Sequence, residues 1–404
     1  MDPRAAATQR FPEIPPGDNH PFAVAILSGM TAEAADERPA ILGYLGPNWF
    51  ASVMGTGIVA NAGATLPVQV PGLHTFALAV WVASAVWLLV VVLAMLAHWL
   101  RNPTVARSHH RNPTMAHFYG AAPMALLTVA TGALVVGHDL IGVRIAVDLA
   151  WVLWTAGTLG GLFTAMSIPY LMFTRYRVEP DAAFGGWLMP VVPPMVAAAT
   201  GSLLIPHMAD GPGRATMLYG CYAMFGLSLV ASLIIITMVW SRLAHFGTSG
   251  TARVPTLWIV LGPLGQSITV AGLLGTDAEL AVGGELADGM RVFAVLYGVP
   301  VWGFAVLWIA LATALTARTL RRGMPFALTW WSLTFPVGTF VTGTTQLAVH
   351  TSLPAFRYAA AAAYVGLLCT WVLVAVRTFR VGVRRGLFTP PGTDPVRAYK
   401  DPPA

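Results

Sequence analysis

Trp87-Leu88-Leu89-Val90-Val91-Val92-Leu93 is the centre of an apolar run, residues 73–98, that contains no Asp, Glu, Lys or Arg. A helix crossing the hydrocarbon of a bilayer needs about 20 mostly apolar residues, and this run exceeds that length. Its apolarity is continuous instead of alternating, which excludes a transmembrane barrel strand. Nine further runs read the same way, at about 44–63, 115–136, 143–173, 187–205, 215–240, 254–275, 292–317, 326–349 and 358–379. The sequence therefore predicts an all-α integral membrane protein with ten transmembrane helices. Composition agrees: of 404 residues 56% are hydrophobic and 10% charged, where a soluble domain has about a quarter of its residues charged.

The formal net charge of +6 does not point to nucleic acid, because the arginines stand between apolar runs or in the tails. They set topology under the positive-inside rule. Arg101, Arg107 and Arg111 follow the second run, Arg175 and Arg177 the fourth, Arg242 and Arg253 the sixth, and Arg318, Arg321 and Arg322 the eighth. The other loops hold edge residues such as Arg144, Arg214, Arg291 and Arg357, with the acids Asp277, Glu279, Glu285 and Asp288. Both termini are thus predicted to be cytoplasmic, with the chain in the cell membrane. Residues 1–40 are polar and rich in proline and acids, and their one apolar patch, 22–27, is too short for a signal-peptide core. They read as a disordered cytoplasmic tail, 41–380 as the transport domain, and 381–404 as a second cytoplasmic tail. Cys221 and Cys369 lie in apolar runs, where free cysteine behaves as a small hydrophobe. Without CxxC or HxxxH spacing, no disulfide, metal or cofactor is expected.

A repeat underlies these runs. The odd-numbered ones carry a proline and, seven to ten residues later, a glycine: Pro47 with Gly55 and Gly57, Pro123 with Gly132, Pro193 (beside Pro194) with Gly201, Pro263 with Gly272, and Pro336 with Gly343. The even-numbered runs are more regular, Pro300 excepted. The natural unit is a hairpin of one interrupted and one ordinary helix, repeated five times. Proline removes a backbone donor and kinks a helix, and lipid tolerates such a break only where protein or a watery cavity satisfies the freed groups. The odd helices are therefore expected inside and the even ones outside. Against this stands the general abundance of Pro and Gly in membrane helices.

The odd runs also keep uncharged polar stripes. Phe335, Thr339, Thr342 and Gln346 share one helical face, as do Asn48, Ser52 and Thr56; Met124, Thr128 and Thr131; and Gly262, Gln266 and Thr269. They are candidate lining of a common axis, although Ser and Thr in membrane helices commonly bond their own backbone. No Asp, Glu, Lys or Arg falls in mid-span, and Arg144 and Asp148 are spaced for a helix-end ion pair. Because a charge at mid-membrane costs on the order of 3 kcal/mol, an acidic proton relay has little support. Hydroxyls, amides and the positive ends of broken helices suit an anion instead. Phe335, among Gly338 and Thr339, is a candidate water-excluding closure, although packing is the plainer reading of a lone phenylalanine. Two alternatives remain. One is a proton-coupled secondary carrier of another fold. The other is a membrane-embedded enzyme, whose only candidate cluster is His109-His110-Arg111.

The run Gly46-Pro47-Asn48-Trp49-Phe50-Ala51-Ser52-Val53-Met54-Gly55-Thr56-Gly57-Ile58 resembles the first-helix signature of the tellurite-resistance and dicarboxylate transporter family, with its voltage-dependent anion channel-like domain. Trp330-Trp331-Ser332-Leu333-Thr334-Phe335-Pro336-Val337-Gly338 is similar to its ninth-helix motif. The likeness covers about 41–380, and the first motif is nearer to the malate permeases and sulfite efflux pumps than to the tellurite-resistance and plant channel branches. It implies five helical hairpins in quasi-fivefold arrangement around a central pore, a homo-oligomer that is usually a trimer, and a phenylalanine plug that falls on Phe335. The expected cargo is a small anion, a C4-dicarboxylate such as malate first and sulfite or a tellurite-related oxyanion second. Regulation by long phosphorylated tails, as in the plant branch, is not implied.

Overall fold

Helix occupies every predicted run in the structure, a computed structural model that describes residues 45–383 apart from 249. The predicted tails, 1–40 and all but the first three residues of 381–404, lie outside the described residues. We number the main helical segments α1 (Phe50–Thr65), α2 (Leu73–Arg101), α3 (Pro113–Ile141), α4 (Val143–Thr174), α5 (Pro193–Leu204), α6 (Pro212–Phe246), α7 (Val254–Ala281), α8 (Gly284–Arg321), α9 (Phe335–Thr351) and α10 (Pro354–Val383). Seven of them are long and apolar enough to cross a membrane. The others, α1, α5 and α9, have 16, 12 and 17 residues and follow short 3-10 turns. Among the described residues there is no β-strand.

The prolines explain this division. Pro193 is the first residue of α5 and Pro336 the second of α9, while Pro123 and Pro263 are the third residues after the 3-10 turns that open α3 and α7. At a helix start the missing N–H was unpaired in any case. So the prolines begin the α-helical parts instead of kinking them midway, which refines the sequence expectation. In α3 the irregularity is a π-turn over Ala133–Gly137.

Burial separates the segments into two sets. In α7, 89% of the most apolar stretch is buried within the chain, and in α3 72%, against 22% in α8 and α10. Most residues of α1, α5 and α9 are buried too. The exposed faces of the even segments are apolar, for example Leu100, Met166, Phe173 and Leu296, as a lipid-facing surface requires. The inner contacts run α1 to α3, α3 to α5, α5 to α7, α7 to α9, and from α9 back to α1. Each inner segment also packs on the even segment that follows it in the chain. Tryptophans of the outer helices donate to inner backbone, Trp81 Nε1 to Val129 O at 3.1 Å, Trp154 Nε1 to Ala197 O at 2.8 Å and Trp308 Nε1 to Leu257 O at 2.8 Å. An indole N–H in an apolar setting needs such a partner.

The turns repeat as well. Glycines with positive φ precede α2, α4, α6 and α8 (Gly72, Gly142, Gly211 and Gly283), and Ser352 takes that role before α10. At Gly142, φ 80° with ψ 150° is a conformation only glycine adopts readily.

Two sequence expectations fail at the helix ends. Asp277, read as a loop residue, lies inside α7, buried, and accepts from Ser202 Oγ of α5 at 2.7 Å. The helix simply continues through the polar residues as far as Ala281. Arg144 and Asp148 form no ion pair. Both are exposed, and a hydrated pair gains little by closing.

Candidate functional site

Two cavities lie among the inner segments. One, of about 60 Å³, is walled by three residues from each: Ile58, Asn61 and Thr65; Thr128, Thr131 and Val135; Val196, Ala199 and Leu203; Gln266, Thr269 and Leu273; Phe335, Thr342 and Gln346. The other, of about 20 Å³, lies where the α-helical parts begin, and Met54, Met124, Met189, Phe118 and Ile259 make it apolar. Phe335, 3% exposed, borders both cavities. No Asp, Glu, Lys, Arg or His lines either one.

The wall of the larger cavity is fixed by bonds between neighbouring inner segments. Thr131 Oγ1 meets Thr200 Oγ1 at 2.8 Å between α3 and α5, and Thr269 Oγ1 meets Thr342 Oγ1 at 2.8 Å between α7 and α9. Asn61 Nδ2 donates to Thr128 O at 3.0 Å, joining α1 to α3. The Gln266 amide is different. It is 5% exposed, lines the cavity, and has no hydrogen-bond partner among the described residues. Its amide reaches the cavity, where water or a solute can pair with it, and on the same wall Asn61 Oδ1 is buried with no partner among the described residues. Gln346 lies against Gly272, where any Cβ would come within 2.6 Å of it.

Of the residues predicted to line an axis, Thr128, Thr131, Gln266, Thr269, Thr342 and Gln346 stand in the larger cavity and Met124 in the smaller. Asn48, Ser52, Thr56 and Thr339 stand in neither. Ser52 and Thr56 face the outer helices, accepting from Trp87 Nε1 at 2.8 Å and Trp371 Nε1 at 3.2 Å. Asn48 belongs to the 3-10 turn that precedes α1. Thr339 is fully buried and donates to Leu261 O at 3.2 Å and Pro336 O at 2.7 Å. The face that α1 presents instead, Ile58, Asn61 and Thr65, was legible through the repeat. Stepping back 70 residues from Thr131 reaches Asn61, and forward 69 reaches Thr200.

The histidines singled out for catalysis sit apart from both cavities, on the short turn between α2 and α3. His109 stacks on His98 at 5.6 Å between centroids and His110 on Tyr119 at 4.5 Å. The Tyr176 hydroxyl donates to His110 O. Burial pushes His109 below its ordinary value of 6.5, with His98 and His110 adding to the effect, and burial lowers His110 as well. Such rings are neutral at neutral pH. Among the described residues no three His, Cys, Asp or Glu side chains gather as metal ligands.

Comparison with known proteins bears on this arrangement. The sequence profile of the voltage-dependent anion channel family, SLAC1, matches residues 44–379. The sulfite efflux pump SSU1 of Trichophyton rubrum is 26% identical over 371 residues, 89% of this chain and 96% of that one. The uncharacterized transporter MJ0576 of Methanocaldococcus jannaschii is 24% identical, over 86% of this chain and 96% of its own. A Schizosaccharomyces pombe protein named for malic acid transport is 21% identical over 86% of this chain and 81% of its own.

Proposed function

This chain belongs to the voltage-dependent anion channel family, and on that premise we propose that it carries small anions across a membrane through the two chambers that meet at Phe335. In this reading all ten segments cross the bilayer, as five hairpins in quasi-fivefold order. The closed sequence of inner contacts and the recurring left-handed turns support it. Both termini face the cytoplasm, since the arginine-rich connections follow the even segments. Three copies assemble in the cell membrane, by likeness to the family.

The observation that carries the proposal is the position of Phe335. Its ring borders both cavities, and neither is lined by an ionised side chain. Apolar constrictions close a path by excluding water, and the three methionines beside Phe335 extend that constriction. Beyond it the Gln266 and Gln346 amides offer donors that replace part of an anion's hydration, while the hydroxyls of Thr131 and Thr342 are held by their partners across the wall. Asn61 and Thr65 take the place on the wall that Ser52 and Thr56 were expected to fill.

The order of substrates expected from the sequence is reversed here, with sulfite ahead of malate. A chamber of about 60 Å³ admits a few waters or a small oxyanion more readily than a C4 chain. The relatives named for sulfite efflux are also more similar to this chain than the one named for malic acid. Flux into proteoliposomes, with malate, sulfite, nitrate and chloride competing, tests the cargo. Phe335→Ala should raise flux severalfold in the same assay. Unchanged flux would remove the gate.

A further inference from the structure

Away from both chambers, aromatic side chains of α6 and α8 meet. Phe225 of α6 touches Phe293 and Tyr297 of α8 at 6.4 and 5.6 Å between ring centroids. Toward the arginine-rich ends, where Trp240 of α6 meets Trp308 of α8 at 6.1 Å between ring centroids, the two helices line a groove of about 720 Å³. That volume lies in the range of about 300–1,000 Å³ found for ligand clefts. Leu257 of α7 and Trp308 form its floor, pinned by the bond from Trp308 Nε1 to Leu257 O. Leu243 and Leu311 form its apolar walls, and Arg318 and Arg322 close the polar end.

The two arginines are one turn apart, exposed, and make no ion pair among the described residues. Thr319 between them is already spent, since its hydroxyl donates to Leu315 O at 2.8 Å. Across the groove Arg242 is committed to the carbonyls of Asp181 and Gly247. An apolar channel that ends in two unpaired guanidinium groups matches one kind of molecule in its surroundings, an acyl chain carrying a phosphate. Guanidinium binds phosphate oxygens in bidentate fashion, and basic pockets between membrane helices take anionic headgroups.

We propose that the α6–α8 groove is a binding site for an anionic phospholipid, with one acyl chain along Leu243 and Leu311 and the headgroup phosphate on Arg318 and Arg322. The site is independent of the transport reading and stands or falls separately from it. The test is native mass spectrometry of the full chain released from vesicles of equal phosphatidylglycerol and phosphatidylcholine. The wild type should retain phosphatidylglycerol with a preference of roughly thirtyfold, the order expected of two arginines at a membrane surface. The double variant Arg318→Gln with Arg322→Gln should lose that preference. Leu311→Trp, which fills the groove, should lose the retained lipid of both kinds, with melting temperature as the check on folding. Equal retention of the two lipids by the wild type, or an unchanged preference in the double variant, overturns the assignment. So does disulfide formation between two copies of Leu311→Cys in a Cys369→Ser background, which would show that a second copy fills the groove instead.

Discussion

Gln266 lines the larger chamber with an amide that has no hydrogen-bond partner among the described residues, on a wall that also holds Asn61 and Gln346. A hydrogen bond to a charged group is worth about 1.5–3 kcal/mol, so removing this donor should weaken anion capture by roughly tenfold or more. Gln266→Leu should raise the apparent KM for flux, and Gln266→Glu, which adds a negative charge, should abolish uptake. Concentration series in proteoliposomes check both. The residue scale also shows where sequence reading stops. The pairs across the wall were half visible, since Thr131, Thr269 and Thr342 lie on the predicted stripes. Yet Ser52 and Thr56 share a stripe equally well and point outward, because Trp87 and Trp371 need acceptors there. Helical periodicity places residues on one face; it does not say which neighbour that face meets. Pro47 misled in the same way. Pro123, Pro193 and Pro263 are 70 residues apart, and a step back from Pro123 reaches Val53, six residues past Pro47. The first proline is six residues out of that register, and Pro336, 73 residues after Pro263, is three out. At the position just before the repeat proline stand Ala122, Val192, Gly262 and Phe335, so those four repeats supply only one aromatic ring.

Between elements, α7 and α9 approach each other closely through glycines. A Cβ on Gly265 would lie 2.4 Å from backbone atoms of Phe340 and Thr339, and one on Gly343 would lie 2.6 Å from Gly265 O. Backbone cannot swing aside as a side chain can, so Gly265→Ala must push the two helices apart. Overpacking of this kind costs about 1–3 kcal/mol, and the variant should melt lower in detergent. The glycines were visible in the sequence as companions of the prolines, but their role as contact points needed the partner helix. The turn between α2 and α3 gives a second test at this scale. His109 is held below its ordinary 6.5 by burial and by His98 and His110. On acidification the unfolded chain binds a proton that the folded turn resists, so stability is lost as pH falls below about 6.5. Melting temperature should drop between pH 7 and pH 5, and His109→Gln should flatten that drop.

For the whole molecule, the all-α membrane class was legible because the length of apolar runs is a property of one chain. The cavities were not, since they depend on which five faces converge. Assembly and orientation lie beyond a single chain, and both can be measured. Sedimentation in a density-matched detergent should give a mass of three copies, and a reporter fused after Ala404 should read as cytoplasmic. The smallness of the two chambers, about 20 and 60 Å³, has its own effect on what passes. Neither has room for a full hydration shell, so a solute must shed most of its water, and the electrostatic cost of doing so grows with the square of the charge. A singly charged, protonated oxyanion therefore pays a quarter of what its dianion would. Throughput should then track the abundance of the protonated species in the bath, giving transport that responds to acidity because the proton travels on the cargo and not on the protein.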